Sequence, residues 1–442
     1  MAVVGTDGTG SVDAAGIPVR PRGRNVRWSI ISVITVLTIT NYLDRGNLSV
    51  AAPLISADLG VSNTEMGLVL SAFVWPYAIM NLPTGWAVDR FGPKLIMTLA
   101  ATLWSLAGIA TGLARNVGTF IGLRAALGVA EAPMFPAALK ATDEWFPDHE
   151  KARATSVYIA ATQVGLAIAP PITTALMLVF GWSIMFFVMG ALGVLGVAAW
   201  LVVYRKPEQQ RWLSAEELTY IRSGQSTDHE AAAVEKVGGR EWFSLFGHAT
   251  TWWMLIGAFC LQYVFWFYIT WLPSYLQSAQ HFTLGKAGLL AALPYIAGGV
   301  AVLLGGRISD QLVRRGMAPL NARRRTIAAG ALLTAVALAA TAASTGPTIA
   351  VVLLTVGMFT YSLTSAPYWA LATDVVTTSK MVASVGSIQN FGGFLGGACA
   401  PIATGVMVDL FGGFVPALIV TAALLLVSAL AYGVLLRRRL PV

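Results

Sequence analysis

The chain has 442 residues, 56% of them hydrophobic and only 11% charged, with a mean hydropathy of +0.69. Soluble proteins carry about 25% charged residues, so composition excludes a water-soluble globular enzyme, a disordered chain and a nucleic-acid binder. The net charge of +8 has another origin, visible in where the basic residues fall.

Residues 1–27 contain no apolar stretch of the kind a cleavable signal requires, so the first long apolar run is expected to direct the chain to the membrane. A bilayer-spanning helix needs about 20 mostly apolar residues. Twelve such runs follow: 28–57, 66–85, 95–114, 117–138, 153–179, 183–204, 250–277, 286–306, 326–345, 348–372, 382–408 and 413–436. The sequence therefore predicts an all-α membrane protein of twelve transmembrane helices in two pseudo-symmetric six-helix bundles. A tail (1–27) precedes the first bundle (28–204). A polar linker (205–249), with the amphipathic segment WLSAEELTYIR, leads to the second bundle (250–436) and a short tail (437–442).

All lysines and arginines except Arg45, Arg115, Arg124 and Lys286 fall on the tails, the linker and the turns of the same side. Positive charge marks the cytoplasmic side, so both termini and the linker are expected there. The basic excess is a topology signal and a contact for anionic lipid. Cys260 and Cys399 lie in apolar runs, and no two of His149, His229, His248 and His281 share a metal-ligand spacing. Neither a metal nor a cofactor is expected.

The halves repeat. Gly85 and Asp89 match Gly306 and Asp310 at an offset of 221 residues. Ser156, Gly165, Ala169, Pro170, Thr173, Phe180 and Gly181 match Ser387, Gly396, Ala400, Pro401, Thr404, Phe411 and Gly412 at an offset of 231. Parallel duplication about a central linker is a carrier layout, with substrate held between the halves.

Four charged residues lie deep within spans: Asp44 and Arg45 in the first, Arg124 and Glu131 in the fourth. Each costs roughly 2.5–3.5 kcal/mol at mid-bilayer, so they must face one another or a polar cavity. Arg124, Gly128 and Glu131 fall at i, i+4 and i+7, one helical stripe, on which Gly128 leaves room for a neighbouring helix. Asn41, Asp44, Arg45 and Leu48 form a second stripe. An arginine in a low-dielectric cavity attracts an organic anion, and a carboxylate beside it can exchange a proton. The remaining span polar groups include Tyr77, Asn81, Gln163, Gln262, Tyr361, Gln389 and Asn390. The glycine-rich run NFGGFLGGACAP lacks the Lys-Ser/Thr of a nucleotide loop and reads as a packing or hinge segment. The sequon-like Asn47-Leu-Ser falls inside the first span and is a chance match.

The turn Gly85-Trp-Ala-Val-Asp89-Arg90-Phe-Gly92-Pro-Lys94 resembles the signature of the major facilitator superfamily, departing from it at Pro93 where a basic residue is usual. A weaker copy runs from Gly306 to Arg315 and includes Asp310. The resemblance implies a gating role for Gly85, Asp89, Arg90, Gly92 and Asp310, with Asp89 meeting a helix N-terminus or a basic group. The segments NYLDRGNLSVA (41–51), SAFVWPYA (71–78), RAALGVAEAPMFPA (124–137), EWFPDHEKARA (144–154) and WFYITWLPSYL (266–276) resemble the anion:cation symporter branch. That branch includes bacterial galactonate, glucarate and hexuronate carriers and the sialic-acid and vesicular glutamate carriers.

The resemblance implies that Asp44 and Glu131 couple protons and that Arg124 regulates Glu131. It further implies that Arg45 meets the substrate carboxylate, with Tyr77, Gln163, Trp369 and Asn390 as further substrate contacts. The expectation is a monomeric, proton-coupled importer of a sugar acid in a bacterial inner membrane, with no nucleic-acid partner and no enzymatic activity. An aromatic or small hydroxy carboxylate, and passive or exchange transport, stay open as alternatives.

Overall fold

The computed structural model describes residues 25–225, 239–377, 381–437 and 439–440. Residues 1–24 of the first tail and 438, 441 and 442 of the second lie outside the described residues, as do His229, Lys236 and Lys380. No β-strand occurs among the described residues. The helices run α1 (Val26–Leu59), α2 (Asn63–Ser71), α3 (Val74–Phe91), α4 (Pro93–Thr111), α5 (Val117–Glu131), α6 (Met134–Trp145) and α7 (Asp148–Val203). The linker carries α8 (Ala215–Ser223) and α9 (Gly239–Ser244). The second half comprises α10 (Ala249–Ser274), α11 (Leu284–Arg314), α12 (Pro319–Ala343), α13 (Pro347–Ser362), α14 (Ser365–Val375), α15 (Val382–Phe411) and α16 (Val415–Leu430).

Nine described helical stretches, among them α13 with α14 (Pro347–Val375) and α16 continued to Leu435, are long and apolar enough to cross a bilayer, and three local features account for the other spans. The 56-residue α7 holds two spans, because Gly181 (φ 78°, ψ 168°) breaks it in a conformation that L side chains rarely adopt. The second span is the bent pair Asn63–Asn81 and Pro83–Phe91. The fourth is α5 plus α6, interrupted at Ala132 and Pro133, where proline removes a backbone donor. The interruption falls immediately after Glu131.

The outward faces are apolar: Leu178, Leu195, Leu289 and Leu303 are each more than 60% exposed. Such a belt is what a hydrocarbon solvent requires. Inside the first half, α1 packs closely on α7, where Gly165 faces Ile39 and Tyr42. The glycine-rich run of α15 is a packing surface: Gly392 and Gly396 abut the backbone of α10 at Leu255 and Phe259. The halves meet where α2 packs on α15 and α7 on α11, with α3 reaching α15 through Tyr77 and Phe394, ring centroids 5.5 Å apart.

The linker helix α8 is docked. Glu217 accepts hydrogen bonds from the backbone N–H groups of Val26 and Arg27 at 3.1 and 3.3 Å, capping the start of α1. Arg27 is fully buried and pairs with Glu217 at 2.8 Å and with Glu150 of α7 at 2.9 Å.

Candidate functional site

The site forms where α1, α2, α3 and α5 converge. Gly128 sets the spacing: a Cβ on it would lie 2.2 Å from the Phe73 carbonyl oxygen. Only glycine permits α5 to come this close to the α2–α3 junction, which carries Phe73 and Tyr77. Those two rings stack, centroids 5.4 Å apart. Together with Tyr42 they surround the Arg45 guanidinium, whose carbon lies 4.7 Å from the Tyr42 and Tyr77 centroids and 5.2 Å from that of Phe73. A guanidinium held against ring faces gains cation–π attraction, which strengthens when water is excluded. From the other half, Trp266 of α10 approaches Phe73 at 6.1 Å.

Arg45 Nε donates to Glu131 Oε2 at 2.9 Å, the arginine side chain being 8% exposed and the glutamate fully buried. Arg124, which the resemblance assigns to regulate Glu131, makes no hydrogen bond or ion pair with it among the described residues. Arg124 instead reaches across to α1, donating to Asn47 Oδ1 at 3.0 Å and to the Asp44 carbonyl at 3.3 Å. Asp44 Oδ1 accepts from Asn47 Nδ2 at 3.2 Å. Each arginine thus bridges α1 and α5, in crossed order.

Several polar atoms of this cluster are buried with no hydrogen-bond partner in the protein: Arg45 Nη2, Arg124 Nε, Asp44 Oδ2, Glu131 Oε1 and both amide atoms of Asn41. Buried polar groups are nearly always satisfied, so donors and acceptors concentrated in this way are suited to binding something polar. A cationic Nη2–H beside an acceptor-only carboxylate suits an organic carboxylate and a proton respectively.

The other residues expected at the site are more dispersed. Tyr77 is buried in the cage. Gln163 of α7 is half-buried, with its Cβ against Gly299 of α11 across the interface between halves. Asn390 of α15 is half-buried. Trp369 of α14 is 59% exposed, edge-on to Tyr368. In the C-terminal half, polar span residues named from the sequence find partners within that half. Tyr361 donates to Gln262 Oε1 at 2.7 Å, and Gln389 Nε2 donates to the Tyr368 carbonyl at 2.8 Å. Tyr42 and Phe73 are the site residues that the sequence does not single out, although Tyr42 lies three residues before Arg45, one helical turn away.

In the signature turn, Gly92 has φ +81° and Gly85 has open space around it. Asp89 pairs with Lys140 of α6 at 3.1 Å, the aspartate exposed and the lysine half-buried, while Arg90 is exposed. Asp310 pairs with Arg323 at 2.7 Å. A cavity of about 410 Å³ lies beside Asp89, lined by Gly85, Lys140, Asp143 and Lys151.

The family profile of the Major Facilitator Superfamily matches residues 34–398. A probable L-galactonate transporter of Escherichia coli (strain K12) is 38% identical over 433 residues, covering 96% of this chain and 94% of that protein. A probable galactarate/D-glucarate transporter of the same strain is 32% identical over 424 residues, covering 93% of each. Among solved structures, a bacterial homologue of the human lysosomal transporter Spinster, inward-facing and unoccupied, superposes with a TM-score of 0.77 at 19% identity, covering 93% of this chain and 97% of that one.

Proposed function

Because the chain belongs to the Major Facilitator Superfamily and is a multi-pass membrane transporter related to sugar-acid carriers, we propose that it imports a sugar acid together with protons by alternating access. The observation that carries this reading is Arg45: caged by three aromatic rings, paired through Nε to Glu131, with Nη2 unpartnered. A guanidinium offers a carboxylate two parallel donors, so a substrate carboxylate can compete with Glu131 for it. Protonation of Glu131 releases Arg45 for the substrate, and in this way one site links proton to anion.

Arg45 and Arg124 are the only cations deep within the spans, and Arg124 is already held by Asn47 and the Asp44 carbonyl. One available cation suits one carboxylate, which favours an aldonate such as galactonate over a dicarboxylate. Tyr77, Gln163, Trp369 and Asn390 are proposed to meet the hydroxyls, and Asp44 to carry a second proton. Asp89 and Asp310, each ion-paired within its own half, are proposed to gate the linker side together with Gly85, Arg90 and Gly92. The linker side is assigned to the cytoplasm from its lysines and arginines, the membrane to the bacterial inner membrane, and the working unit to a monomer. The task is carriage, not catalysis.

Uptake of labelled galactonate into proteoliposomes, with and without an inward proton gradient, tests the reading. Accumulation above the equilibrium level is expected only with the gradient. Equal uptake in both cases would make the protein a passive carrier, and uptake of an aromatic carboxylate in place of galactonate would reassign the substrate.

A further inference from the structure

The two seams that join the halves at the end away from the linker are related by the internal repeat, yet their chemistry differs. In the α2–α15 seam, Gly67 packs on the Pro401 carbonyl and Gly405 on the Asn63 carbonyl, each so closely that a Cβ would clash. Asp409, at the end of α15, closes this seam. Its Oδ1 accepts from Asn63 N–H at 3.3 Å and Asn63 Nδ2 at 2.8 Å, and its Oδ2 from Thr64 N–H at 2.7 Å and Thr64 Oγ1 at 2.6 Å. One carboxylate from the second half thus takes four donors from the first turn of α2, two of them helix N–H groups that have no partner within the helix.

Applying the repeat offsets of 221 and 231 converts Asn63, Thr64 and Gly67 into Leu284, Gly285 and Gly288, and Asp409, Gly405 and Pro401 into Leu178, Thr174 and Pro170. These residues do meet in the α7–α11 seam: Gly288 packs on Thr174, and the Leu178 side chain lies 3.7 Å from the Cβ position of Gly285. There Leu178 replaces the carboxylate, and Thr283, the N-cap of α11, makes no side-chain capping bond.

We propose that Asp409 is a one-sided latch of the far gate: the α2–α15 seam opens only by pulling an ionised carboxylate off a helix N-terminus, while the α7–α11 seam slides as an uncharged contact. Asp409 is a positioning residue. It lies remote from the Arg45–Glu131 pair and sets which side of the carrier is open. The inference rests on the alternating-access reading, but its test needs no substrate, so the two can fail separately.

The test uses spin-label distances in the full chain, in nanodiscs without substrate. One pair, at Leu113 and Thr345, spans the far end; the other, at Lys94 and Arg315, spans the linker end. Asp409→Asn keeps the shape and removes the charge. Exposed charge–dipole contacts are modest, so the far-open to far-closed ratio is expected to rise roughly three- to tenfold, with the linker-end distance shortening in step. Adding Leu178→Asp to that variant places a carboxylate at the uncapped start of α11, near Lys286, and is expected to reverse the shift. A purely structural role for Asp409 would lower the melting temperature without moving either distribution. Should Asp409→Asn not fold, Thr64→Val removes one donor and is expected to shift the distances the same way by less. Unchanged far-end distances in whichever of these variants folds, or failure of Leu178→Asp to restore closure, overturns the latch.

Discussion

Arg45 of α1 and Glu131 of α5 form a buried ion pair, Nε to Oε2 at 2.9 Å, in which each partner keeps one polar atom unpaired. A buried pair with both partners otherwise satisfied would serve only to pin two helices. This one retains a free N–H on the cation and a free oxygen on the anion, the two groups that an incoming carboxylate and an incoming proton respectively need.

Arg45→Lys tests the fork. Lysine retains the charge but cannot present two parallel N–H bonds or lie flat against Tyr42 and Tyr77. Losing one charge-assisted hydrogen bond of about 1.5–3 kcal/mol predicts substrate affinity weaker by roughly 10- to 150-fold, with the protein still folded and inserted. Calorimetric titration of purified variants with galactonate checks it; wild-type affinity would place the anion elsewhere.

Gly128→Ala tests how the cage is built. The added methyl would sit 2.2 Å from the Phe73 carbonyl, and backbone on both sides cannot yield as a side-chain tip does. Overpacking of this kind costs about 1–3 kcal/mol, and relief must push Phe73 and Tyr77 away from Arg45. Both thermal stability and substrate affinity are therefore expected to fall together. A stability loss with affinity intact would detach the cage from binding.

Much of this was legible in the sequence, for a physical reason. Hydrocarbon makes every intramembrane charge conspicuous, so Asp44, Arg45, Arg124 and Glu131 stand out by composition alone, and Gly128 by its place on their stripe. Which charge meets which was not legible, because pairing depends on how α1 and α5 are rotated against each other, and periodicity along one helix carries no such information. Arg27 shows the same limit. A basic residue before the first span reads as a topology signal, and nothing local distinguishes it from a buried one. Its partners, Glu150 and Glu217, lie 123 and 190 residues away. Trp369 marks the reverse case: the resemblance supplies its role, while the structure leaves its ring exposed.

Arg27→Ala removes the cation that holds two carboxylates at the start of α1. Breaking a buried pair from one side typically costs 3–5 kcal/mol, because the remaining charge stays buried. A markedly lower melting temperature is expected, along with faster proteolysis around α8, whose Glu217 would keep only its two backbone N–H donors at the start of α1. Arg27→Ala with Glu217→Gln should recover part of the loss. If Arg27→Ala alone melts like the wild type, α8 is held by its apolar face and by the Glu217 cap on the α1 backbone, not by the ion pair.

Glu131→Gln addresses coupling. The amide imitates a permanently protonated carboxyl, so Arg45 is released from its ion pair at every pH. Substrate binding should survive and lose its pH dependence, since the competition between Glu131 and the substrate carboxylate for Arg45 has been removed. In the wild type, binding is expected to strengthen as pH falls, because protonation of Glu131 frees the guanidinium. Counterflow, the exchange of internal for external substrate, requires no net proton movement and should persist. Accumulation driven by an inward proton gradient should be lost. Asp44→Asn should also reduce gradient-driven uptake, and because Asp44 faces Asn47 and not Arg45, it should leave the pH dependence of binding in place. The pair of variants therefore separates the carboxylate that competes with substrate from the one that does not. Full gradient-driven accumulation by Glu131→Gln would reduce Glu131 to a structural partner of Arg45 and leave Asp44 as the sole proton carrier.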